Sequence, residues 1–382
     1  MWVEVERRPA DDADGSAADA TPARRPDRDR PADASGAEPA TPVPSPAAVE
    51  RPGGDWERAA PEAAGLDPEL VAAGVAAIGG QPGVRTVLVV HDGKIVAEES
   101  FRGAGPAAPH NVKSAAKSIL SALVGIAIEE GVFTGIDQPL SELLPGALPS
   151  GTDGRERGRI TLRHLLTQTT GLESTSGEHY GRWVSSPNWV DAALARPLLD
   201  PPGRTFRYST GNTHLLSAAL ARAAGTSTLD FARRHLLDPL GVEVAAWSTD
   251  PQGIHLGGNE TSLSPRDLAR FGWLVLRGGR WGDRQLVPAD WVRASTTRQV
   301  ATTPEWADRY GAYGYLWWIP PDRPGDAMAV GYGGQVLYLA PAERMAIVVT
   351  ATHEGKGAAW DRELLTAARD TLLAAGRLEP AM

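Results

Sequence analysis

Ser114 and Lys117 stand three residues apart in "NVKSAAKSILSALVGIAIEEG" (111–131), in a chain of 382 residues that holds only four lysines. On a helix this spacing puts both side chains on one face, one turn apart. A serine hydroxyl becomes a nucleophile when a base takes its proton. A lysine in a poorly solvated place loses basicity, because burial disfavours the charged amine. The pair can therefore activate a serine without histidine, and first-turn backbone N–H groups favour the negative charge that develops there. Alone, a Ser-x-x-Lys tetrad is a weak signal; its bland reading is a serine cap with two lysines facing water. The residues that follow weigh against that reading. Ala115, Ala116, Ile119, Leu120, Leu123, Val124, Ile126, Ala127 and Ile128 cover most directions. A helix apolar on all sides belongs in a core, so only its N-terminal mouth meets a cleft. Asn111 can cap it and Gly131 can end it. Lys113 points elsewhere and reads as a solvated or structural charge.

The surrounding elements must hold that mouth in place. "GLDPELVAAGVAAIGG" (65–80) predicts a helix capped by Asp67. In "VRTVLVVHDGKIVAEESF" (84–101), two apolar runs flank Asp92-Gly93, a strong hairpin signal. From about 111 to 250 the pattern is mostly helical. "SPRDLARFGWLVLRGG" (264–279) predicts a helix with Ser264 as cap and Pro265 at its first position. Strand patterns return at 313–319, 335–340 and 344–352, and a final helix is expected over 361–376. Strands at both ends with helices between predict an α+β fold: an antiparallel sheet flanked by helices, formed by both ends of the chain, with an inserted, mainly helical domain. The expected boundaries are a tail over 1–55 and one domain over 56–375. Within that domain the α/β part covers about 56–110 and 255–375, and the helical insert about 111–254.

Composition removes several function classes. Cysteine is absent, which excludes disulfides and thiol catalysis. A net charge of −9 argues against neutralising nucleic-acid phosphates. No apolar run approaches the ~20 residues that span a bilayer, and no basic start leads into an apolar run, so a cytoplasmic location is expected. Residues 1–55 hold nine prolines, twelve alanines and 12 acids against 7 arginines, a composition expected to stay disordered. The nucleophile-elbow, zincin and P-loop motifs are all missing from the chain. The histidines, His164 among them, show neither triad nor ligand spacing, so no metal site and no cofactor is expected.

Further blocks follow in order: "ITLRHLLTQTTGL" (160–172), "DPPGRTFRYSTGNTHLLSAALARAAG" (200–225), "GGNETSLSPRDLARFGWLVLRGGRW" (257–281), "YGYLWW" (313–318) and "VGYGGQVLYLAP" (330–341). Together with Ser114-Ala115-Ala116-Lys117 they resemble the serine β-lactamase superfamily, over about residues 58–375. The similarity is to the class C-like branch, which also includes D-alanyl-D-alanine carboxypeptidases, esterases and 6-aminohexanoate-dimer hydrolases. The resemblance implies a β-lactamase/transpeptidase-like fold, Ser114 as nucleophile, Lys117 as general base, and Tyr208 sharing proton transfer with Lys117. A neighbouring ammonium is expected to lower the Tyr208 pKa for that role. The oxyanion hole falls to the backbone amides of Ser114 and Gln335, beside Gly334. Where relatives carry Lys-Thr-Gly or His-Thr-Gly, this chain reads Tyr332-Gly333-Gly334. The missing cation at Tyr332 puts recognition of a substrate carboxylate in doubt. It ranks ester or small-amide hydrolysis above β-lactamase or D-Ala-D-Ala carboxypeptidase activity, with a non-catalytic ligand-binding protein as the rival class. Asn212 is expected either to cap a helix starting at 213 or to orient lysine or substrate, the cap being favoured. Trp183, Trp189, Trp317 and Trp318 are candidates to line an apolar acyl site, although tryptophan chiefly fills cores.

Overall fold

The computed structural model describes residues 56–103, 105–352 and 362–376; the expected disordered tail over 1–55 lies outside them. Its centre is a seven-stranded antiparallel sheet. The strands are β1 (Val84–His91), β2 (Lys94–Ser100), β3 (Ala312–Tyr313), β4 (Trp318–Ile319), β5 (Ala327–Gly331), β6 (Gln335–Ala340) and β7 (Met345–Ala351), in the order β2-β1-β7-β6-β5-β4-β3. The pairing of β1 with β7, Leu88 opposite Val348, joins the two ends of the chain, as the α+β reading expects. Asp92 and Gly93 sit at φ +49° and +80°. Two successive left-handed residues match the right-handed twist of the flanking strands, so the Asp-Gly pair closes β1 onto β2.

Both faces of the sheet are covered, and alternation sorts the strand residues between them. Val87, Val89, Ile347 and Val349 face α1 (Pro68–Gly79) and the C-terminal helix, Arg362–Ala374, through Val71, Val75, Ile78, Leu372 and Leu373. Leu88, Val90, Ala346 and Val348 face the larger core. That core is built on α2 (Ala116–Glu129), α3 (Thr210–Ala224) and α4 (Pro265–Leu276), and α4 packs on β1, β6 and β7. Asp67 caps α1, accepting from Glu69 N and Leu70 N, and the Ser264 side chain accepts from Asp267 N at the start of α4. Every residue from Ala116 to Ala127 is buried, so α2 is surrounded on all sides. Among the described residues no helix is long and apolar enough to cross a membrane.

Two local expectations are corrected. The chain at 111–116 is not the start of one continuous helix. Lys113–Ala115 form a 3-10 turn with Lys113 at φ +51°, and α2 begins at Ala116; Asn111 Oδ1 accepts from Lys113 N and caps the turn instead. The run 313–319 is not one strand but a hairpin of two short ones, β3 and β4. Gly314 N donates to Trp317 O, and Leu316 is held at φ +63°. A left-handed leucine is unfavourable by roughly 1–2 kcal/mol. Two bonds offset this, from Leu316 N to Leu166 O and from Ser118 Oγ to Leu316 O.

Candidate active site

The turn that carries Ser114 is pinned from outside. Glu260 accepts from Lys113 Nζ at 2.7 Å and from Asn111 Nδ2 at 2.5 Å, and Val112 N donates to Thr261 O. Lys113 is thus a structural charge that helps hold a left-handed turn. Behind the turn runs the end of β5, where Gly331 is required: a Cβ there would lie 2.3 Å from Val112 O and 3.1 Å from Lys113 Cβ.

Lys117 enters the core one turn later and is 1% exposed. Its Nζ lies 3.1 Å from Ser114 Oγ, 3.4 Å from Thr210 Oγ1 and 2.9 Å from Gly258 O. All three partners are uncharged oxygens. Burial therefore acts without an opposing carboxylate and lowers the Lys117 pKa to about 7. Gly258 sits at φ +66°, and a Cβ there would stand 2.4 Å from Lys117 Cγ. The glycine lets a backbone carbonyl come close enough to take one amine proton donor.

Tyr208 lies beside Ser114, and its ring centroid lies 5.3 Å from Lys117 Nζ. Burial pushes its pKa up, not down. The expectation of a lowered value assumed a neighbouring ammonium, whereas an amine near 7 is largely neutral above that pH and gives little such help. Tyr208 is thus held as a neutral phenol.

Asn212 neither caps a helix nor touches the lysine. Helix α3 already starts at Thr210, and Asn212 is buried with Nδ2 donating to Gln168 Oε1 and Oδ1 accepting from Thr170 Oγ1. The residue that reaches Lys117 is Thr210. Ser209, between Tyr208 and Thr210, is extended at φ −149° and ψ 124°, so the flanking side chains leave on the same side. That i, i+2 relation to Tyr208 was the available sequence signal for Thr210. Ser176 was missed as well: its Oγ lies 3.1 Å from Thr210 Oγ1 and accepts from Thr210 N at 2.9 Å.

The segment 332–334 forms the hairpin turn between β5 and β6, with Gly333 and Gly334 at φ +80° and +87° and the Tyr332 side chain 52% exposed at the mouth. Gln335 is buried. Its side-chain amide donates to Ala351 O and accepts from Ala351 N, so it fastens β6 to β7. Tyr332, Gly333 and Gly334 line the same cleft as Ser114, Tyr208 and Thr210, a space of about 1250 Å³. Beyond Tyr332 lies a smaller pocket of about 370 Å³ whose lining includes Arg85, His110 and Lys113. Positive charge is present on that side although position 332 lacks it.

One cleft wall is aromatic. Tyr208, Trp306 and Trp318 lie ring against ring at centroid distances of 5.3–5.8 Å, joined by Tyr310. Of the four tryptophans singled out from sequence, Trp318 lines the cleft. Trp317 is core, stacked on Phe271, and Trp183 and Trp189 pack around His214.

A Ser-x-x-Lys at the mouth of a buried central helix, beside an antiparallel sheet covered on both faces, defines the β-lactamase and penicillin-binding-protein class of fold. The chain belongs to the beta-lactamase family, whose profile matches residues 69–369. It is 25% identical over 277 residues to the 6-aminohexanoate-dimer hydrolase of Paenarthrobacter ureafaciens, covering 68% of this chain and 70% of that one. In fold it is similar to EstCE1, a hydrolase with promiscuous acyltransferase activity (TM-score 0.65, 18% identity, 80% of this chain and 98% of the other). It is also similar to simvastatin synthase from Aspergillus terreus (TM-score 0.61, 18% identity, 80% and 98%).

Proposed function

We propose that this protein is a serine hydrolase that cleaves an ester or small amide through an acyl-enzyme on Ser114. The observation that carries this reading is the Lys117 amine, 1% exposed, unopposed by a carboxylate and 3.1 Å from Ser114 Oγ. In the mechanism Ser114 attacks the carbonyl while Lys117 takes its proton. The oxyanion forms beside the Ser114 and Gln335 backbone amides; such a donor lowers a barrier by about 3–4 kcal/mol. Tyr208, held protonated by burial, donates to the leaving group and is resupplied from the Lys117 ammonium. Water then releases the acyl group, and Ser114 regains its proton.

The aromatic wall of Tyr208, Trp306 and Trp318 supports an apolar acyl group, and Tyr332 at the position of the family's cation disfavours β-lactams. The 6-aminohexanoate-dimer hydrolase relative supports the small-amide branch. A non-catalytic binding role draws only on the changed residue at 332, against three reactive groups kept together. The test is a panel of short-chain p-nitrophenyl esters, nitrocefin and a linear amide dimer, run on wild type and Ser114→Ala. Ester turnover that disappears in the variant, with fluorophosphonate labelling of wild type, is the expected result. Activity that survives in Ser114→Ala would mean the nucleophile is another residue.

A further inference from the structure

The smaller pocket beyond Tyr332 plays no part in the chemistry at Ser114. Lys113 and Tyr332 line both it and the main cleft, so the two spaces adjoin. Much of its polar lining is already engaged. Lys113 Nζ and Asn111 Nδ2 both donate to Glu260, the Gln335 side chain is bonded to Ala351, and Thr352 Oγ1 donates to Gly83 O. Arg85 and His110 are different. Arg85 is half-buried on β1, and among the described residues its guanidinium has no hydrogen bond or ion pair. His110 Nε2 is buried and has no hydrogen-bond partner among them either. Burial, and then the Arg85 charge, lower the His110 pKa, so the guanidinium has a neutral ring as its neighbour. Among the described residues no carboxylate lines this pocket. A planar guanidinium fork matches the two oxygens of a carboxylate, and a neutral imidazole can add one N–H donor.

The position of the pocket indicates which end of a substrate reaches it. Tyr310, Trp306 and Trp318 line the main cleft and not the pocket, and the reading above seats the apolar acyl group against them. A tail that passes Lys113 and Tyr332 therefore belongs to the other side of the scissile bond. We propose that Arg85 and His110 hold a carboxylate on the alcohol or amine portion of the substrate, which makes the substrate an ester or amide between an apolar acid and a hydroxy or amino carboxylic acid. The inference rests on the hydrolase reading for what the carboxylate is attached to. Tyr332 stands between the cleft and the pocket, so a spacer must separate the scissile bond from the charge. A carboxylate held close to that bond does not reach Arg85, in keeping with the ranking of β-lactams below open-chain substrates.

The test pairs butyrate esters of ω-hydroxycarboxylic acids of increasing length with their uncharged carboxamide counterparts, on wild type and Arg85→Gln. Wild type is expected to favour the carboxylate by at least about tenfold at one best length, through KM more than kcat; this is the scale of a hydrogen-bonded charge. Arg85→Gln is expected to remove that preference by raising KM for the carboxylates, with a much smaller change for the carboxamides. Calorimetric titration of Ser114→Ala measures binding without turnover, and there the carboxylate ester is expected to bind at least about tenfold more tightly than its counterpart. Inorganic phosphate separates a substrate tail from a free anion: it is expected to compete with the carboxylate esters and leave turnover of the carboxamides unchanged. The site is overturned if wild type treats the two series alike, if the preference survives Arg85→Gln, or if that variant raises KM equally for both. A phosphate effect on carboxamide turnover that Arg85→Gln abolishes would also overturn it, by assigning the pocket to a free anion. No wild-type turnover of either series, with the carboxylate preference intact in Ser114→Ala binding, would reject the hydrolase reading and leave the anion site standing.

Discussion

Replacing Lys117 by methionine should abolish ester turnover and, at neutral pH, relieve the protein of a charged group it holds at a cost. The Lys117 pKa falls from 10.5 to about 7 on burial, which corresponds to about 5 kcal/mol between the two protonation states. The sign follows from proton counting. Below about pH 7 the amine is protonated both folded and unfolded, and the folded state carries the whole penalty. Between about 7 and 10.5 the unfolded chain binds the extra proton, so wild-type stability rises with pH by about 1.4 kcal/mol per pH unit. Above 10.5 the amine is neutral in both states and the penalty is gone. Methionine has no such dependence. Lost bonds to Thr210 and Gly258 add a constant offset to Lys117→Met, but they leave the slope untouched. The assay is urea unfolding of wild type and Lys117→Met at pH 6, 7, 8 and 9, with the difference in unfolding free energy plotted against pH. It should be flat below about 7 and then shift in favour of wild type. The acid limb of wild-type kcat/KM for a p-nitrophenyl ester should break at the same place, near pH 7. A stability difference that does not change with pH, or an activity that keeps rising toward the ordinary amine range, would refute the claim that Lys117 is a neutral buried base.

Tyr208→Phe should leave the fold intact and lower kcat by about 10²–10⁴, because the donor to the leaving group is lost; esters with good leaving groups should suffer least. Gly258→Ala, which forces a Cβ to 2.4 Å from Lys117 Cγ at φ +66°, should cost about 1–3 kcal/mol in chemical denaturation and reduce activity with it. Trp306→Ala opens the aromatic wall and should raise KM for bulky acyl esters more than for acetyl esters; equal changes across the series would remove the wall from acyl recognition. Asp250→Ala strips the partner from His214, a pair at 2.9 Å with both side chains fully buried. It leaves a buried ring nitrogen without its partner and removes the Oδ1 that accepts from Gln252 N and Ile254 N, and should cost about 1–3 kcal/mol, read as a lowered urea midpoint.

The sequence was most legible where one local rule sufficed. Asp92-Gly93 marks its hairpin because few other residue pairs accept two left-handed positions, and the Ser264-Pro265 start of α4 is a local capping rule. Ser114 and Lys117 were readable as a pair because a single helical turn joins them. What stayed hidden required knowledge of packing. The hydroxyl link from Thr210 to Ser176 crosses 34 residues, and nothing in "ESTSGE" announces a partner in "YSTGNT". Asn212 looked like a cap because its residue type favours caps, yet α3 begins two residues earlier and carries it into the interior. The left-handed Leu316 split an expected strand into a hairpin, since bonds from Leu166 and Ser118 outweigh a leucine's own preference. The Tyr208 shift runs opposite to the expectation because burial disfavours the phenolate, while the neighbouring amine, itself lowered to about 7, gives little opposing charge.

A dry lysine is expensive wherever it sits, so the chain must surround it tightly enough to keep water and carboxylates away. Three distant segments do this. The turn at 113–115 supplies the serine, residues 208–210 supply the phenol and a hydroxyl, and Gly257-Gly258 bring a carbonyl in at a distance only glycine permits; a Cβ on Gly257 would lie 1.9 Å from Thr213 O. Each segment is fastened by bonds that do not involve the reacting groups: Glu260 to Lys113 and Asn111, the hydroxyls of 175 and 176 to the start of α3, and Thr213 Oγ1 to Gly257 O. If the low basicity of Lys117 is produced by this enclosure, loosening a fastening should raise it without touching the site. Glu260→Gln keeps the shape and removes the ion pair with Lys113. Its acid limb should move upward in pH relative to wild type as water gains access, while the limiting rate at high pH stays near the wild-type value. An acid limb that stays in place would show that enclosure by the segments themselves, and not their ionic fastening, sets the lysine.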